Sequence, residues 1–314
     1  MNYLEFFHFD NHPFVSDEKI NYFYPKKSYI KIINELVEFC RYKNGIFVIK
    51  GGVGVGKTVV LNKILEAIGN NDFPIFIKAD EKTELLKVIA NKLKIDSKNI
   101  SEVLIKLADI YANGRNVIIA VDNAENLSKE EYISLNSLIQ VLPNLRIILC
   151  GRGGLTKKLN QKTISPIKKH IVKKYRLRPF SILQAMKYIS YVEKNALALS
   201  QYKRVISKPA LFVTALFSNR NIKNINFISE KVLIDAFYGK KQKVSVKNVY
   251  NVAKNNFDVV KYNIYHKFQK IFLLILLILS IYYVIKITVD RKDLINHIEA
   301  QKSIRQQEKE IQDI

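Results

Sequence analysis

The sequence feature that most constrains this chain is the segment GGVGVGKT at residues 51–58. It follows the apolar run IFVIK and opens a helical pattern, the strand–loop–helix setting that the motif G-x-x-x-x-G-K-[ST] requires. Glycines in such a loop let successive main-chain N–H groups curl around phosphate oxygens, and the start of the helix adds positive potential. This context disfavours a chance glycine-rich turn. The spacing predicts a P-loop whose ATP-binding residues are Gly51, Gly52, Val53, Gly54, Val55, Gly56, Lys57, Thr58 and Val59.

A second part of the predicted site lies in NVIIAVDNAENL, residues 116–127. Asp122 ends the apolar run VIIAV, and an acidic residue at such a position holds Mg²⁺ in P-loop ATPases. The pattern predicts that Thr58 and Asp122 serve the metal ion and that Lys57 reaches the β- and γ-phosphates. ATP and Mg²⁺ are therefore the expected cofactors.

The residue after Asp122 bears on hydrolysis. Many strand-borne ATPases place a glutamate there to polarise the attacking water, whereas this chain has Asn123. An amide cannot act as a general base, so hydrolysis is in question. Glu125 lies two residues further on, and two roles are open for it: a substitute base, or a solvated helix cap.

Apolar runs alternate with helical patterns up to Pro179. Runs such as VIIAV are apolar throughout, which is typical of parallel strands that are covered on both faces. Beyond Pro179 only helical patterns follow. The sequence therefore predicts a doubly wound α/β domain with a small helical second domain. Its strands are predicted at Ile46–Lys50, Pro74–Ala79, Asn116–Val121, Leu145–Cys150 and Ile171–Leu177.

The longest apolar run is IFLLILLILSIYYVIKITV at residues 271–289, with Lys286 as its single charge. As a helix it would rise about 28 Å, close to the thickness of a bilayer core. A buried core helix is the alternative, but such helices usually keep a polar stripe. The run predicts one transmembrane helix, and counts of flanking lysines and arginines do not decide its orientation. Because the preceding residues need ATP, we expect them in the cytoplasm, with a short tail across the inner membrane.

These expectations divide the chain into five parts. They are an N-terminal segment and helix at 1–44, the P-loop core at 45–179, the lid at 180–260, the transmembrane helix at 271–289 and an extracytoplasmic tail at 290–314.

The net charge of +23 raises the question of an anionic partner. The stretch from Asp290 to Ile314 has five Lys or Arg and six Asp or Glu, so the excess lies before the predicted span. There it would face lipid headgroups of the inner membrane, and nucleic acid is possible but not favoured. A basic segment, Leu155–Arg178, is open to the same partners or is a solvated surface. The two cysteines, Cys40 and Cys150, cannot form a disulfide framework or a four-ligand zinc site.

Several segments together resemble the ExeA/GspA type of AAA+ ATPase, general secretion pathway protein A, and its relatives in mannose-sensitive pilus biogenesis. The N-terminal FFHFDNHPF is similar to a Phe-rich start containing "PF" in that family. DNAENL at Asp122–Leu127 is similar to D-E-A-Q-N-L, LRIILCGR at Leu145–Arg152 to a strand ending in Gly-Gln, and Arg220–Phe237 loosely to the lid motif. A membrane span after the lid also suits this type.

Departures from the family pattern concern the catalytic positions. Arg152 stands where the family has a polar sensor Gln, and Lys223 where a lid arginine would meet the γ-phosphate. Lysine keeps that charge but lacks the bidentate fork. His170 replaces the family's arginine before the fifth strand, so an arginine finger is missing. The candidate catalytic residues are Asn123, Glu125, Arg152 and Lys223.

The resemblance implies an AAA+-like fold and a membrane-anchored ATPase with a weakened catalytic site. It also implies a homo-oligomer that supports a type II secretion, type IV pilus or DNA-uptake machine, with envelope components as partners. Two other hypotheses stay open. One is a DNA-handling AAA+ ATPase of the transposition-regulator kind, and the other is a nucleotide-binding scaffold with little hydrolysis.

Overall fold

A computed structural model describes residues 2–14, 22–69, 72–95, 99–197, 204–255, 273–274 and 276–288. The chain divides into two compact units, Met1–Asn255 and Asn256–Ile314. The first unit contains the sheet, the P-loop and the lid helices.

The centre of the first unit is a parallel sheet of five strands in the order β2-β3-β4-β1-β5. Every residue of β3 and β4 is buried because helices cover both faces of the sheet. The predicted α/β P-loop fold is confirmed, since each predicted strand corresponds to an observed one. The strands are β1 Gly45–Gly51, β2 Phe73–Lys78, β3 Val117–Asp122, β4 Arg146–Gly151 and β5 Ile171–Leu177.

Helices and strands form two hydrophobic layers, one on each face of the sheet. Alternate residues of a strand point to opposite faces, so Val48 belongs to one layer and Ile49 to the other. Helices α2 and α3 cover the face of Ile49, and helices α4, α5 and α6 cover the face of Val48. The helices of this region are α1 Tyr3–Phe7, α2 Lys27–Tyr42, α3 Lys57–Ile68, α4 Leu85–Leu93, α5 Ile100–Ala112, α6 Lys129–Val141 and α7 Gly153–Leu159, with 3₁₀ turns at Ala124–Asn126 and Ser165–His170.

The lid consists of α8 Ile182–Ala196, α9 Lys208–Phe217, α10 Ile222–Tyr238 and α11 Val246–Asn255. Side chains that accept hydrogen bonds from the first turn define three helix starts: Ser181 in a capping box, Ser207 before a proline, and Asn221. The buried residues of these helices join the same hydrophobic cluster as α2 and α3. The lid helices therefore share one hydrophobic layer with α2 and α3.

The N-terminal segment packs on the lid. Phe9 forms a backbone bridge with Leu197, and the Phe6 and Phe237 rings meet edge to face with centroids 5.4 Å apart. The Phe-rich start therefore helps to hold the lid in place.

In the second unit, residues 273–274 and 276–288 are helical. Their large apolar side chains are exposed, among them Leu277, Ile281 and Tyr283. Among the residues that the structure describes, no helix combines the length and the apolar character needed to cross a bilayer. The span predicted at 271–289 includes residues 271, 272, 275 and 289, which lie outside the described residues, as does the predicted tail at 290–314.

Candidate nucleotide-binding site

The P-loop connects β1 to α3 by a backbone that only glycine adopts readily at two positions. Gly54 has φ +66° and Gly56 has φ +82°, both in the left-handed region. Val55, between them, is buried. A Cβ atom at Gly51 would lie 2.7 Å from Val55 Cγ2 and 3.1 Å from the Leu177 carbonyl oxygen, so the entry to the loop is tightly packed as well.

Lys57 is the first residue of α3 and is buried, with 7% of its surface exposed. Its Nζ donates to the carbonyl oxygens of Gly52 at 2.8 Å and Gly51 at 3.2 Å. An ammonium has three N–H donors, so these two bonds place the charge in the curl of the loop. A phosphate oxygen bound within the loop would meet this charge.

Thr58 and Asp122 meet across the sheet. Strand β4 lies between β1 and β3, yet Thr58 Oγ1 donates to Asp122 Oδ2 at 2.6 Å. Asp122 ends β3, and Thr58 lies in the first turn of α3, which follows the carboxyl end of β1. Asp122 is 1% exposed, and its Oδ1 accepts the N–H of Asn123 at 2.9 Å. Burial and the neighbouring Asp122 raise the pKa of the Cys150 thiol in β4 well above its usual range, so Cys150 is a neutral packing residue.

The donor set of Thr58 and Asp122 fits the predicted metal ion. A hydroxyl and a carboxylate are the hard oxygen ligands that Mg²⁺ prefers, and it usually binds with one or two carboxylates, waters and substrate phosphates. Within the described residues, no group of three His, Cys, Asp or Glu forms an all-protein metal site. Thr58 and Asp122 would therefore hold Mg²⁺ together with a bound nucleotide.

Asn123 and Glu125 have different environments. Asn123 has φ +53°, a left-handed conformation that asparagine tolerates better than most residues, and it lines the cleft. The Glu125 side chain points toward the end of β4. Its Oε2 accepts a hydrogen bond from the main-chain N–H of Arg152 at 3.0 Å, and its Oε1 lies 3.4 Å from Nε of the Arg152 side chain. The Glu125 side chain is only 13% exposed, so it is not the solvated cap considered from the sequence. It bridges the turn after β3 to the end of β4, and a role in hydrolysis stays a prediction.

The structure brings most of the predicted site residues to one cleft of about 270 Å³. P-loop residues form its floor, and Asn123, Arg152 and Lys223 approach from β3, β4 and the lid. Arg152 and Lys223 are exposed at its edge, where their charges would meet an anionic ligand. The catalytic roles of these residues stay predictions.

The lid touches the P-loop directly through Asn221, which the sequence analysis missed. Asn221 Nδ2 donates to the Val53 carbonyl oxygen at 2.6 Å, and the Ile222 N–H donates to the Gly54 carbonyl oxygen at 2.9 Å. The other side of the same amide, Oδ1, caps α10 by accepting the Lys223 N–H at 2.9 Å. An asparagine just before a helical pattern is a sequence signal for the cap, but not for the contact with the loop.

Aromatic residues form one wall of the cleft, which the sequence analysis also missed. Tyr29 OH donates to the Val55 carbonyl oxygen at 2.7 Å, and its ring stacks on Phe180 with centroids 6.2 Å apart. Burial raises the pKa of Tyr29, so its hydroxyl stays a donor. The run YFY before α2 was the one local signal for this wall. The aromatic residues that line the cleft are Tyr22, Phe23, Tyr24, Tyr29, Phe180 and Tyr188.

A parallel sheet with a P-loop, an acidic residue two strands away and a lid on the loop define a P-loop nucleotide-binding domain. Residues 40–159 match the family model described as AAA domain (AAA_22). This part of the chain is therefore similar to an AAA domain, and its geometry is that of a P-loop fold. No curated protein sequence matches the chain significantly.

Solved structures support the same fold. Cdc6p from Pyrobaculum aerophilum is 17% identical with a TM-score of 0.62, covering 78% of this chain and 71% of that one. The Aeropyrum pernix ORC1 protein, solved in complex with DNA, is 13% identical with a TM-score of 0.61, covering 77% and 68%. The Thermotoga maritima RuvB Holliday junction branch migration motor is 15% identical with a TM-score of 0.52, covering 77% and 72%. At these low identities, the TM-scores show a shared fold and nothing further.

Proposed function

We propose that this chain is an AAA-type ATP-binding protein that couples Mg²⁺-ATP to lid position and hydrolyses ATP slowly. The observation that carries the proposal is the convergence of Lys57, the Thr58–Asp122 pair and the lid residue Asn221 on one loop. A structure related in fold contains the ATP analogue ADPNP and ADP, which supports a nucleotide ligand for this cleft.

The chain's own residues suggest how binding is used. Main-chain N–H groups of the P-loop and the Lys57 ammonium would neutralise phosphate charge, and the aromatic wall would stack on the planar base. The lid contacts Val53 and Gly54, which belong to the same loop. A change in loop conformation on phosphate binding would therefore shift the start of α10. Bound nucleotide would thereby bias the lid and favour a homo-oligomer.

Slow turnover follows from the residues beside Asp122, where an attacking water would lie. Asn123 cannot accept a proton, and Arg152 engages Glu125 through both carboxylate oxygens. A general base typically contributes about 10²–10⁴-fold in rate, and the described site presents no free one beside Asp122. The protein would therefore bind ATP without rapid turnover, unless a partner subunit completes the site.

Asn123→Glu is expected to raise ATP turnover by about 10-fold or more, because it introduces a carboxylate beside Asp122. Asn123→Gln is the matched control, since it has the same length and the same left-handed backbone cost without the charge. Glu125→Gln is expected to change turnover by less than about 3-fold. Steady-state phosphate release and ATP affinity of the full chain measure these effects. If the full chain did not bind ATP, the proposed function would be wrong. If the native chain turned over ATP near the enzyme median of about 10 s⁻¹, the proposal of slow hydrolysis would be wrong.

We also propose that the second unit anchors the chain in the inner membrane, with the AAA domain in the cytoplasm. Among the described residues 276–288, apolar side chains such as Leu277 and Ile281 are exposed all round the helix. Its hydroxyls bond to its own carbonyls: Ser280 Oγ donates to Leu277 at 2.7 Å and Thr288 Oγ1 to Ile285 at 2.7 Å. This arrangement suits a hydrocarbon environment, where polar groups need internal partners.

Anchoring is tested by replacing Leu277 and Ile281 with lysine in the full chain. Each lysine at the centre of a span costs roughly 3 kcal/mol of insertion free energy, so the variant should leave the membrane fraction during alkaline carbonate extraction. Leu183→Lys, on the exposed surface of α8, is the control and should stay with the membranes. Extraction of the native chain by carbonate would contradict the anchor.

The resemblance to the ExeA/GspA type supports an envelope machine, of the type II secretion, type IV pilus or DNA-uptake kind, as the assembly served by an anchored ATPase. Capture of such components with the full chain, and their loss with the lysine variant, would support this role. The fold relatives described with DNA favour the alternative, a DNA-handling ATPase. That alternative requires a surface for nucleic acid.

A further inference from the structure

The segment from Leu155 to Arg178 has nine Lys or Arg and no Asp or Glu. It runs through α7, the 3₁₀ turn Ser165–His170 and the edge strand β5. Such a run is the strongest local concentration of one charge sign in the described chain, so its placement on the surface matters.

The charged side chains of strand β5 point to both faces of the sheet. Tyr175 and Leu177 pack against the hydrophobic layer of α2 and α3, and Lys173 on the same side donates to Glu35 of α2 at 2.5 Å. Because side chains alternate along a strand, Lys174 and Arg176 point to the opposite face. On that side, α7 and the 3₁₀ turn bury their own apolar residues in the other layer.

Exposed or half-buried cations follow one another along the chain from α7, through the residues after it and the 3₁₀ turn, to this side of β5, and we call this set the basic face. Lys158 is left out because its Nζ donates to the Leu127 carbonyl oxygen. Its members are Lys157, Lys162, Lys168, Lys169, Lys174 and Arg176.

Charges on the basic face lack the compensation found on the other side of β5. The hydrogen bond from Lys173 holds the pKa of Glu35 below its usual range, which shows a charge balanced locally. Within the described part of the chain, none of the six cations of the basic face has a carboxylate within 4 Å. Lys174 and Arg176, two like charges on one side of β5, repel each other unless an anion approaches them.

The chemistry of the basic face distinguishes among anions. A surface that lies on a lipid bilayer inserts aromatic or large apolar side chains, whereas β5 exposes only Val172 among its large apolar residues. Single-stranded nucleic acid is held by exposed aromatic platforms, whereas Tyr175, the one Phe, Tyr or Trp of Leu155–Arg178, packs on the other side of β5. Lys174 and Arg176, two positions apart on a parallel strand, are separated by about 6.6 Å along it, close to twice the roughly 3.4 Å rise per phosphate of one DNA strand.

We propose that the basic face binds the phosphate backbone of duplex nucleic acid without reading its sequence. Lysine and arginine contacts to phosphate carry no base information, so binding depends on charge and salt. The carboxyl end of β5 pairs with the P-loop strand at Gly51–Leu177, so the basic face ends beside the nucleotide site. The proposal stands independently of ATP binding.

Lys174→Glu/Arg176→Glu is expected to weaken binding of a labelled 30-base-pair duplex at least 10-fold, measured with the full chain by fluorescence anisotropy at several salt concentrations. The slope of log affinity against log salt should fall by roughly two, because two phosphate contacts are lost. The control, Lys92→Glu/Lys106→Glu, makes the same change in net charge on α4 and α5, beside the opposite edge of the sheet. It should weaken binding by less than about 3-fold.

Further arms guard against misfolding and wrong partners. Lys174→Gln/Arg176→Gln avoids charge reversal and should weaken binding to an intermediate degree. Lys57→Ala should leave duplex binding unchanged, which separates this proposal from the nucleotide site. Binding of each variant to phosphatidylserine vesicles is measured in parallel. The proposal would be overturned if the native chain showed no salt-dependent duplex binding, or if the control variant lost as much affinity as Lys174→Glu/Arg176→Glu. It would also be overturned if Lys174→Glu/Arg176→Glu lost affinity for the vesicles but not for the duplex.

Discussion

Lys57→Ala is expected to weaken ATP binding by about 100-fold, measured by equilibrium titration of the full chain with a fluorescent ATP analogue and Mg²⁺. A charged hydrogen bond contributes roughly 1.5–3 kcal/mol, and about 2.7 kcal/mol corresponds to a factor of 100. The variant also removes the donors that hold the carbonyl oxygens of Gly51 and Gly52. Loop shape and phosphate charge are thus lost together.

Lys63→Ala is the matched control for Lys57→Ala. Lys63 lies on the same helix, and its Nζ pairs with Glu66 at 2.5 Å on the surface. Removing this surface pair costs at most about 1 kcal/mol of stability and should leave ATP affinity unchanged. Lys57→Ala with affinity within about 3-fold of the native chain would show that phosphates bind elsewhere.

Gly54→Ala is expected to undo the contact between lid and P-loop and to lower ATP affinity by about 10-fold. Its Cβ would lie 1.9 Å from Asn221 Oδ1, far inside contact distance, so Asn221 must move and its bond to Val53 is lost. A left-handed backbone at this position adds roughly 1–2 kcal/mol of strain for alanine. ATP titration and chemical denaturation measure the two effects.

Two further variants separate the steric clash from backbone strain. Gly69 has φ +77°, and a Cβ at this position would have no atom within 4 Å, so Gly69→Ala carries strain alone and should leave ATP affinity unchanged. Asn221→Gly removes the side-chain amide with which the Cβ atom of Gly54→Ala would clash. The double variant should therefore be more stable than the sum of the single effects predicts, by roughly 1 kcal/mol or more. If the changes in free energy of unfolding of the two single variants simply added in the double variant, Asn221 would not be in contact with position 54.

The strands and the P-loop were accessible from the sequence because their signals are local. VIIAV and IILC are apolar throughout, and the structure buries all of β3 and β4. Helix α3 begins at Lys57 because the glycines before it adopt backbone angles unsuited to a helix. Neither signal depends on residues far away in the chain.

The contacts around the cleft could not be predicted in this way. Asn221 lies 168 residues from Val53, and nothing local to either residue indicates that they meet. The aromatic wall joins Tyr29 to Phe180 across the fold, and Arg152 engages Glu125 between two strand ends. Such pairings depend on how helices pack on the sheet, which only the whole fold decides.

By itself, the sequence determined that this chain carries a P-loop on a parallel sheet, because motif and periodicity act over a few residues. It also determined that Asn123 stands where a base is usual. Tertiary structure alone decided that Glu125 is held by Arg152 and that the lid presses on Gly54. It also decided that Lys174 and Arg176 point to the same side of the sheet as α7. Alternation along β5 shows that the two side chains point the same way, but which helices lie on that side depends on how the helices pack.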